Sequence, residues 1–145
     1  MKTTHTCRWR IVTACALLGC ALATHQPGAK SAAVFNTIIV NTAADTVAAD
    51  GACSLREAIQ AANTNVAVNE CQPGAAGLDR IAFDMLPPVT INLNSALPVL
   101  TEPVILDGTL GAPDRVELNG AGAGANVSGL QIQGGDSTIV NLVIN

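Results

Sequence analysis

The side chains that could perform acid–base chemistry or bind a cation are few, and they are scattered along the second half of the chain. They are Asp79, Arg80, Asp84, Asp107, Asp114, Arg115 and Glu117. Two carboxylates at alternate positions of one strand would lie on the same face of a sheet and could act together. None of these residues has that spacing. Asp107 precedes a glycine and is expected in a turn, while Asp114 and Arg115 are expected to form a surface pair. We therefore predict no catalytic residue, no metal site and no cofactor.

Cysteine is the second reactive residue type, with five copies at positions 7, 15, 20, 53 and 71. Only Cys53 and Cys71 lie beyond the N-terminal segment 1–23. In an oxidising compartment the expected state of this pair is a disulfide. It would close a loop of about 18 residues and contribute roughly 3 kcal/mol in the chain-entropy model. The alternatives are a metal pair or a reactive thiol, and the surrounding sequence has no histidine spacing that supports either of them.

The N-terminal segment 1–23 has the organisation of a secretory signal peptide. A positive start is followed by an apolar run, and small residues precede a cleavage site that we predict after Ala23. An alternative is lipidation at Cys20, because Leu17-Leu18-Gly19-Cys20 resembles a bacterial lipobox. Multiple acyl chains there would give a firm lipid anchor. Residues 24–35 are expected to form a flexible tether.

One short helix is predicted over residues 54–63. Ser54 is a favourable N-cap, and Glu57 three residues later completes a capping box. Leu55, Ala58, Ile59 and Ala62 would form one apolar face. A helix of this length does not persist alone in water. We therefore expect its apolar face to dock on the open end of a stack of strands.

A strand pattern recurs four times near the end of the chain. Each copy reads apolar, any residue, apolar, short polar residue and glycine, and the copies begin 12, 14 and 12 residues apart, at 104–108, 116–120, 130–134 and 142–145. Together with earlier apolar segments, the pattern predicts strands centred near residues 82, 92, 105, 117, 131 and 143, and one more strand over 37–42. Such a repeat is the signature of a solenoid, although sandwiches have similar spacing.

A parallel coil is favoured because a glycine after each strand suits a corner with positive φ. The separation of Asn119 from Asn141 is close to one full coil, and the two are expected to align in a ladder of asparagine side chains along the stack. The predicted domains are an N-terminal cap over 36–80, with the helix and the disulfide loop, and the first coils over 81–145. The fourth repeat lacks its glycine, so the solenoid is expected to be incomplete and to self-associate through an uncapped end.

Composition excludes several classes of protein. Apolar residues make up 49% of the chain but aromatic residues only 2%, which suits thin stacked layers better than a large globular core. The net charge is −4, and without the segment 1–23 four basic side chains remain against 11 acidic ones, a net charge of −7. This balance argues against a nucleic-acid partner. The sequence contains no apolar run long enough to cross a bilayer, so no transmembrane span is expected after signal removal.

The segment CSLREAIQAAN, residues 53–63, resembles the CSLREA domain that is named for this string. Such domains stand at the N-terminus of exported bacterial proteins, ahead of right-handed parallel β-helices of the pectin-lyase-like type. Residues 80–108, RIAFDMLPPVTINLNSALPVLTEPVILDG, are similar to the usual first coils of that family. The resemblance extends over about residues 36–145.

The resemblance implies an all-β fold, a right-handed parallel β-helix whose N-terminal end is plugged by the short helix. It implies the pairing of Cys53 with Cys71, and an Arg56 that points outward or pairs with Glu57 or Glu70. Related polysaccharide lyases use clustered aspartates for Ca²⁺ and a basic residue on one sheet face, a pattern that this sequence lacks. Family members also continue well beyond the length of this chain.

The expected function is that of an exported, non-catalytic β-helix segment of a structural or adhesin-like protein. Its location would be extracellular or on the bacterial cell surface, and glycans or other cell-surface proteins would be its partners. One alternative is the N-terminal fragment of a polysaccharide lyase or hydrolase whose catalytic coils are missing. Another is a truncated product without a function of its own.

Overall fold

The computed structural model describes residues 35–111 and 113–145. The predicted signal peptide, its predicted cleavage site at Ala23, the alternative lipidation at Cys20 and nearly all of the predicted tether lie outside these residues. The elements in chain order are β1 (Thr37–Val40), α1 (Leu55–Thr64), β2 (Asp79–Phe83), β3 (Val89–Asn92), β4 (Val104–Asp107), β5 (Val116–Asn119), β6 (Thr138–Val140) and β7 (Leu142–Ile144). Within the part of the chain that the structure describes, no helix is long and apolar enough to cross a membrane.

The strands form two sheets, and every pairing between named strands is parallel. One sheet has the order β1-β2-β4-β6 and the other the order β3-β5-β7. From β2 onward the chain therefore alternates between the two sheets, and each strand pairs with the next but one. The fold is all-β in character, with parallel sheets and one helix.

The alternation of side chains explains how these short strands are held in place. In β2, β3, β4 and β5 every second residue is buried, and the intervening residues are polar or partly exposed. The buried residues of both sheets join one apolar cluster, in which the largest fully buried side chains include Ile38, Ile81, Ile91, Leu106 and Leu118. Since a one-residue slip would move these side chains to the outer face, their burial fixes the register of each strand.

Helix α1 covers β1, the edge strand of the larger sheet, and also contacts β2. Its buried side includes Leu55, Ala58, Ile59 and Ala62, the residues of the predicted apolar face. The helix ends one residue later than predicted, at Thr64, and Asn65 adopts a left-handed C-cap conformation with φ of 57°. The helix is therefore packed against the first two strands of the larger sheet.

The prediction for the third repeat is wrong. The pattern at 130–134 predicted a strand, but there Ile132 makes only an isolated parallel bridge to Leu100. A strand that the repeat did not predict, β6, lies at Thr138–Val140 instead. The chain between β3 and β4 also contains no strand, so the segment around Ile132 has no neighbour along which a full ladder could form.

The expected alignment of Asn119 with Asn141 is also wrong. Asn119 is in register with Asn92, and its Nδ2 donates to Asn92 Oδ1 at 3.0 Å, across a sequence separation of 27 residues. Asn141 lies between β6 and β7 with φ of 56° and contacts Asp107 instead. The residue that continues the row of asparagines is Asn145, whose backbone N–H donates to Leu118 O at 3.0 Å and whose carbonyl accepts from Gly120 N at 2.9 Å.

Candidate functional site

A polar cluster lies on the outer face of the larger sheet. Arg80 on β2 and Asp107 at the end of β4 form an ion pair, with 2.7 Å between Nη2 and Oδ2. Oδ1 of the same carboxylate accepts from Thr109 Oγ1 at 2.6 Å and from Asn141 Nδ2 at 3.2 Å. Asn141 Nδ2 also donates to Thr109 Oγ1 at 2.8 Å. These four residues, the Arg80–Asp107 cluster, connect three successive strands of the sheet on its outer side.

The electrostatics of this cluster make Asp107 a poor base. The hydrogen bond from the Thr109 hydroxyl is the largest influence, and with donation from Asn141 and Arg80 it outweighs partial burial and lowers the pKa of Asp107 to about 2. A carboxylate with this pKa is ionised throughout the physiological range and takes up a proton poorly. Asp107 was expected in a turn, but it is the last residue of strand β4, and its side chain accepts a hydrogen bond from the backbone N–H of Thr109 at 3.2 Å.

An open depression of about 200 Å³ adjoins the cluster. It is lined by Thr109, Pro113, Asp114, Arg115 and Asn141. The expected ion pair between Asp114 and Arg115 is wrong. Among the described residues the ion pairs are Arg80–Asp107 and Arg56–Asp45. Asp114 and Arg115 are both exposed. The depression therefore offers a guanidinium, carboxylate and amide groups and a hydroxyl to a polar ligand.

The outer face of the smaller sheet has a second set of polar contacts between strands. Thr90 on β3 donates its hydroxyl to Glu117 Oε2 on β5 at 2.9 Å. Asn145 Nδ2 donates to the other oxygen of Glu117. Together with the Asn92–Asn119 hydrogen bond, these contacts form rows of polar side chains that run across the sheet from one strand to the next.

The cap is organised around a buried carboxylate. Glu57 is 1% exposed, and its Oε2 accepts from the Ser54 backbone N–H at 2.9 Å. Its Oε1 accepts from Ala48 N at 2.9 Å and from Asn69 Nδ2 at 2.6 Å. Ser54 Oγ accepts from Glu57 N at 3.3 Å, so the predicted capping box is present. Burial by itself would raise the pKa of Glu57, but the N–H groups that point at the carboxylate outweigh it, and the pKa is lowered.

The disulfide joins Cys53 and Cys71 beside this carboxylate. Both half-cystines are buried, with exposures of 2% and 1%. Cys53 immediately precedes the N-cap of α1, and Cys71 ends the loop that carries Asn69. The covalent bond and the contacts of Glu57 therefore fasten the same loop to the start of the helix.

Arg56 makes an ion pair that the sequence pattern did not indicate. The prediction that Arg56 pairs with Glu57 or Glu70 is wrong. Its partner is Asp45, with Nε and Nη2 of Arg56 each 2.8 Å from one carboxylate oxygen. The side chain of Asp45 is only 1% exposed. Arg56 Nη1 also donates to Ala96 O at 2.6 Å, and Nη2 donates to Ser95 O at 3.1 Å. The guanidinium thus joins the loop after β1, the helix and the segment after β3, which are distant in sequence.

Asp79 is a second buried carboxylate. The sequence listed it only as a residue that could perform chemistry and did not indicate its structural role. It is 1% exposed and accepts from Ala75 N at 2.9 and 3.1 Å and from Asn36 N at 3.3 Å. Burial, with a smaller contribution from nearby Glu102, raises the pKa of Asp79 above its ordinary value despite these donors. A Cβ on Gly74 would collide with Asp79 Oδ2, so glycine is required at that position. Asp79 therefore fastens the start of β1 and the loop before β2.

The candidate residues form two separate groups, one in the cap and one on the outer face. The cap group is covered by protein and organises backbone segments, whereas the outer group presents polar atoms to solvent. Comparison with protein-family models, with curated proteins and with solved structures finds no match to this chain.

Proposed function

We propose that this chain forms the N-terminal cap and first coils of a right-handed parallel β-helix, and that it works as an exported structural or adhesive module. The observation that carries the proposal is the alternation of the chain between two parallel sheets. Each of β4 to β7 lies directly against the strand two places earlier, and the inward side chains keep the same register through the stack. Parallel crossovers of this kind are nearly always right-handed.

The outer face supports a passive binding role better than a catalytic one. Arg80 and Asp107 form an ion pair on this face, and Glu117 lies in a row of amides and hydroxyls. Such rows can hydrogen-bond to the hydroxyl groups of an extended glycan. Asp107, with a pKa of about 2, is unsuited to act as a base on this face. The alternative of an N-terminal fragment of a polysaccharide lyase or hydrolase places the catalytic coils outside this chain.

Export is supported by two independent features. The charged and apolar pattern of residues 1–23 is that of a signal peptide. Cys53 and Cys71 are bonded, and a buried structural disulfide of this kind is characteristic of oxidising compartments. The resemblance of residues 53–63 to the CSLREA domain of exported bacterial proteins is a further argument for export.

The binding role is tested by immobilising the full chain and measuring its capture of neutral and acidic glycans and of intact bacterial cells. We expect retention of at least one glycan class, and weaker retention by Arg115→Ala than by the control Glu70→Ala, an exposed residue that does not line the depression. Equal retention by both variants, or none by the unsubstituted chain, would contradict the proposal. Cleavage of a polysaccharide by the purified chain would contradict the proposal of a non-catalytic module.

Export is tested separately by expressing the chain in a bacterial host and sequencing the N-terminus of the mature product. A product that begins at residue 24 supports secretion, and one that begins at an acylated Cys20 supports the lipid anchor. Retention of the uncut chain in the cytoplasm, with free thiols at Cys53 and Cys71, would contradict export.

A further inference from the structure

The depression of about 200 Å³ on the outer surface lies between two corners of different length. β6 and β7 are joined by a single residue, Asn141, whereas a longer hairpin connects β4 to β5. Thr109 and Arg115 form an antiparallel bridge across that hairpin, and Leu110 N donates to Asp114 O at 3.2 Å. The hydrogen-bonded hairpin therefore forms one wall of the depression, and the short corner forms the other.

The wall at Asn141 is held by contacts to the hairpin and to the end of β4. Asn141 Nδ2 donates to Thr109 Oγ1 at 2.8 Å and to Asp107 Oδ1 at 3.2 Å. Because the amide is held through its nitrogen, its Oδ1 remains as an acceptor that a ligand can use. The polar groups of the depression are therefore in position before a ligand arrives, which reduces the ordering cost of binding.

The charged groups of the depression match the hydroxyl groups of a sugar. Arg115 offers up to five N–H donors in a fork, and the Asp114 carboxylate can accept from two neighbouring hydroxyls. Both side chains are exposed, and among the described residues neither is in an ion pair. Since a hydroxyl both donates and accepts, adjacent hydroxyls of one ring can satisfy both groups. Pro113 adds apolar surface against which the C–H side of the ring can pack.

The volume of the depression limits what it can hold. It corresponds to roughly seven water molecules at their volume in the liquid, which is room for a single sugar ring. The depression is open to solvent, so the preceding and following units of a polymer can extend over the outer face. A polysaccharide chain therefore fits, with one of its rings in the depression.

Charge determines which sugars are accepted. The described residues contain 11 acidic side chains and three arginines, a net charge of −8, so the potential around the chain is negative. An anionic substituent on the ring would gain a contact with Arg115, but it would lie beside the carboxylate of Asp114. A protonated amino group would instead lie beside the guanidinium of Arg115. An uncharged ring avoids both repulsions.

We propose that the depression binds one ring of a neutral, polyhydroxylated glycan, and that Asp114 excludes glycans with anionic substituents. Arg115 donates to the ring hydroxyls, while Asp114 and Oδ1 of Asn141 accept from them. The inference rests on the proposed adhesive role and names the class of glycan that the module binds.

The test is frontal affinity chromatography of the full chain on immobilised neutral polymers (a glucan, a mannan and a galactan) and on the carboxymethylated form of each. We expect binding to at least one neutral polymer, with little dependence on salt, and weaker binding to its carboxymethylated form at low ionic strength. Arg115→Gln should weaken binding to the neutral polymer about 10-fold, because charge-assisted hydrogen bonds are lost.

The decisive variant is Asp114→Asn, which keeps the shape and an acceptor but removes the charge. It should strengthen binding to the carboxymethylated polymer roughly 2- to 5-fold. The matched control is Asp136→Asn, which changes the net charge equally at an exposed residue that does not line the depression. This control should leave the preference for the neutral polymer unchanged. Urea unfolding of each variant verifies that it is folded.

The outcomes separate this inference from the adhesive role. Tighter binding to a carboxymethylated polymer than to its neutral parent, or equal effects of Asp114→Asn and Asp136→Asn, would overturn the inference and leave the adhesive role in place. Binding to none of the polymers would also overturn it, and the capture of intact bacterial cells by the same chain would then decide whether the adhesive role stands.

Discussion

Replacement of Glu57 by glutamine tests whether the cap depends on a buried charge. Glutamine has nearly the same shape, but it exchanges one carboxylate oxygen for an NH₂ group. Both oxygens of Glu57 face N–H donors, those of Ser54 on one side and those of Ala48 and Asn69 on the other. In either orientation the amide therefore places a donor against a donor in a site that is 1% exposed.

The expected cost follows from the contacts that are lost. One or two charge-assisted hydrogen bonds disappear, and at least one buried N–H is left without an acceptor, which corresponds to about 2–3 kcal/mol. Because the pKa of Glu57 is lowered in the folded protein, its ionisation stabilises the fold above the ordinary glutamate pKa. That contribution is lost as the pH falls through the folded value. The difference between the two proteins should therefore be full near neutral pH and shrink in acid, below about pH 4.

The assay is urea unfolding followed by circular dichroism at several pH values, with Glu70→Gln as the control. Glu70 lies in the loop that carries Asn69 but is exposed, so its replacement should change the free energy of unfolding by less than about 0.5 kcal/mol. A cost for Glu57→Gln no larger than that of the control, or one that does not vary with pH, would refute the reasoning about the cap.

Three further substitutions test other parts of the fold by the same unfolding measurement. Cys71→Ser should lower stability by about 3 kcal/mol, and adding a reductant should then have no further effect, unlike in the parent protein. Leu118→Ala should cost about 2–5 kcal/mol, because this side chain is 0% exposed between the sheets. Gly108→Ala should be destabilising, because its Cβ would collide with the carbonyl oxygen of Asn141. Gly135→Ala is its control, since a Cβ there meets no atom within 4 Å, and equal effects of the two alanines would contradict the packing argument.

The strands whose side chains alternate between core and surface could be predicted from the sequence. The patterns at 104–108, 116–120 and 142–145 correspond to β4, β5 and β7. The capping residues Ser54 and Glu57 were also recognisable, because the capping box depends on contacts within a few residues of the chain. In both cases the signal and the structure it predicts are local.

The errors arise where a neighbouring segment decides the outcome. The stretch Leu130-Gln131-Ile132 has the alternation of a strand, but a strand needs a partner along its length. Its neighbour around Leu100 lies between Pro98 and Pro103 and forms no strand, so the contact stops at one bridge. Asn141 was assigned to a ladder for its type and spacing, whereas its left-handed conformation places it at a corner.

The ion pairs could not have been predicted for a related reason. Asp45 and Arg56 are joined with two backbone carbonyls from the segment after β3, and Arg80 and Asp107 meet only because β2 and β4 are neighbours in one sheet. The separations of 11 residues between Asp45 and Arg56 and of 27 residues between Arg80 and Asp107 do not indicate a contact until the order of the strands is known. Sequence reasoning found the residues of the outer face but not their partners.

The sheet order also determines how this chain must fold. No pairing between named strands is a hairpin: β1 reaches β2 only across the helix, and Thr90 on β3 meets Glu117 on β5 over 27 residues. Each new ladder therefore requires a long loop to close before any contact compensates for the lost entropy. Apart from tight turns, the helix with its capping box is the main structure that can form from nearby residues. Folding should accordingly begin at the N-terminal end and advance one strand at a time, in the same direction in which the chain is synthesised.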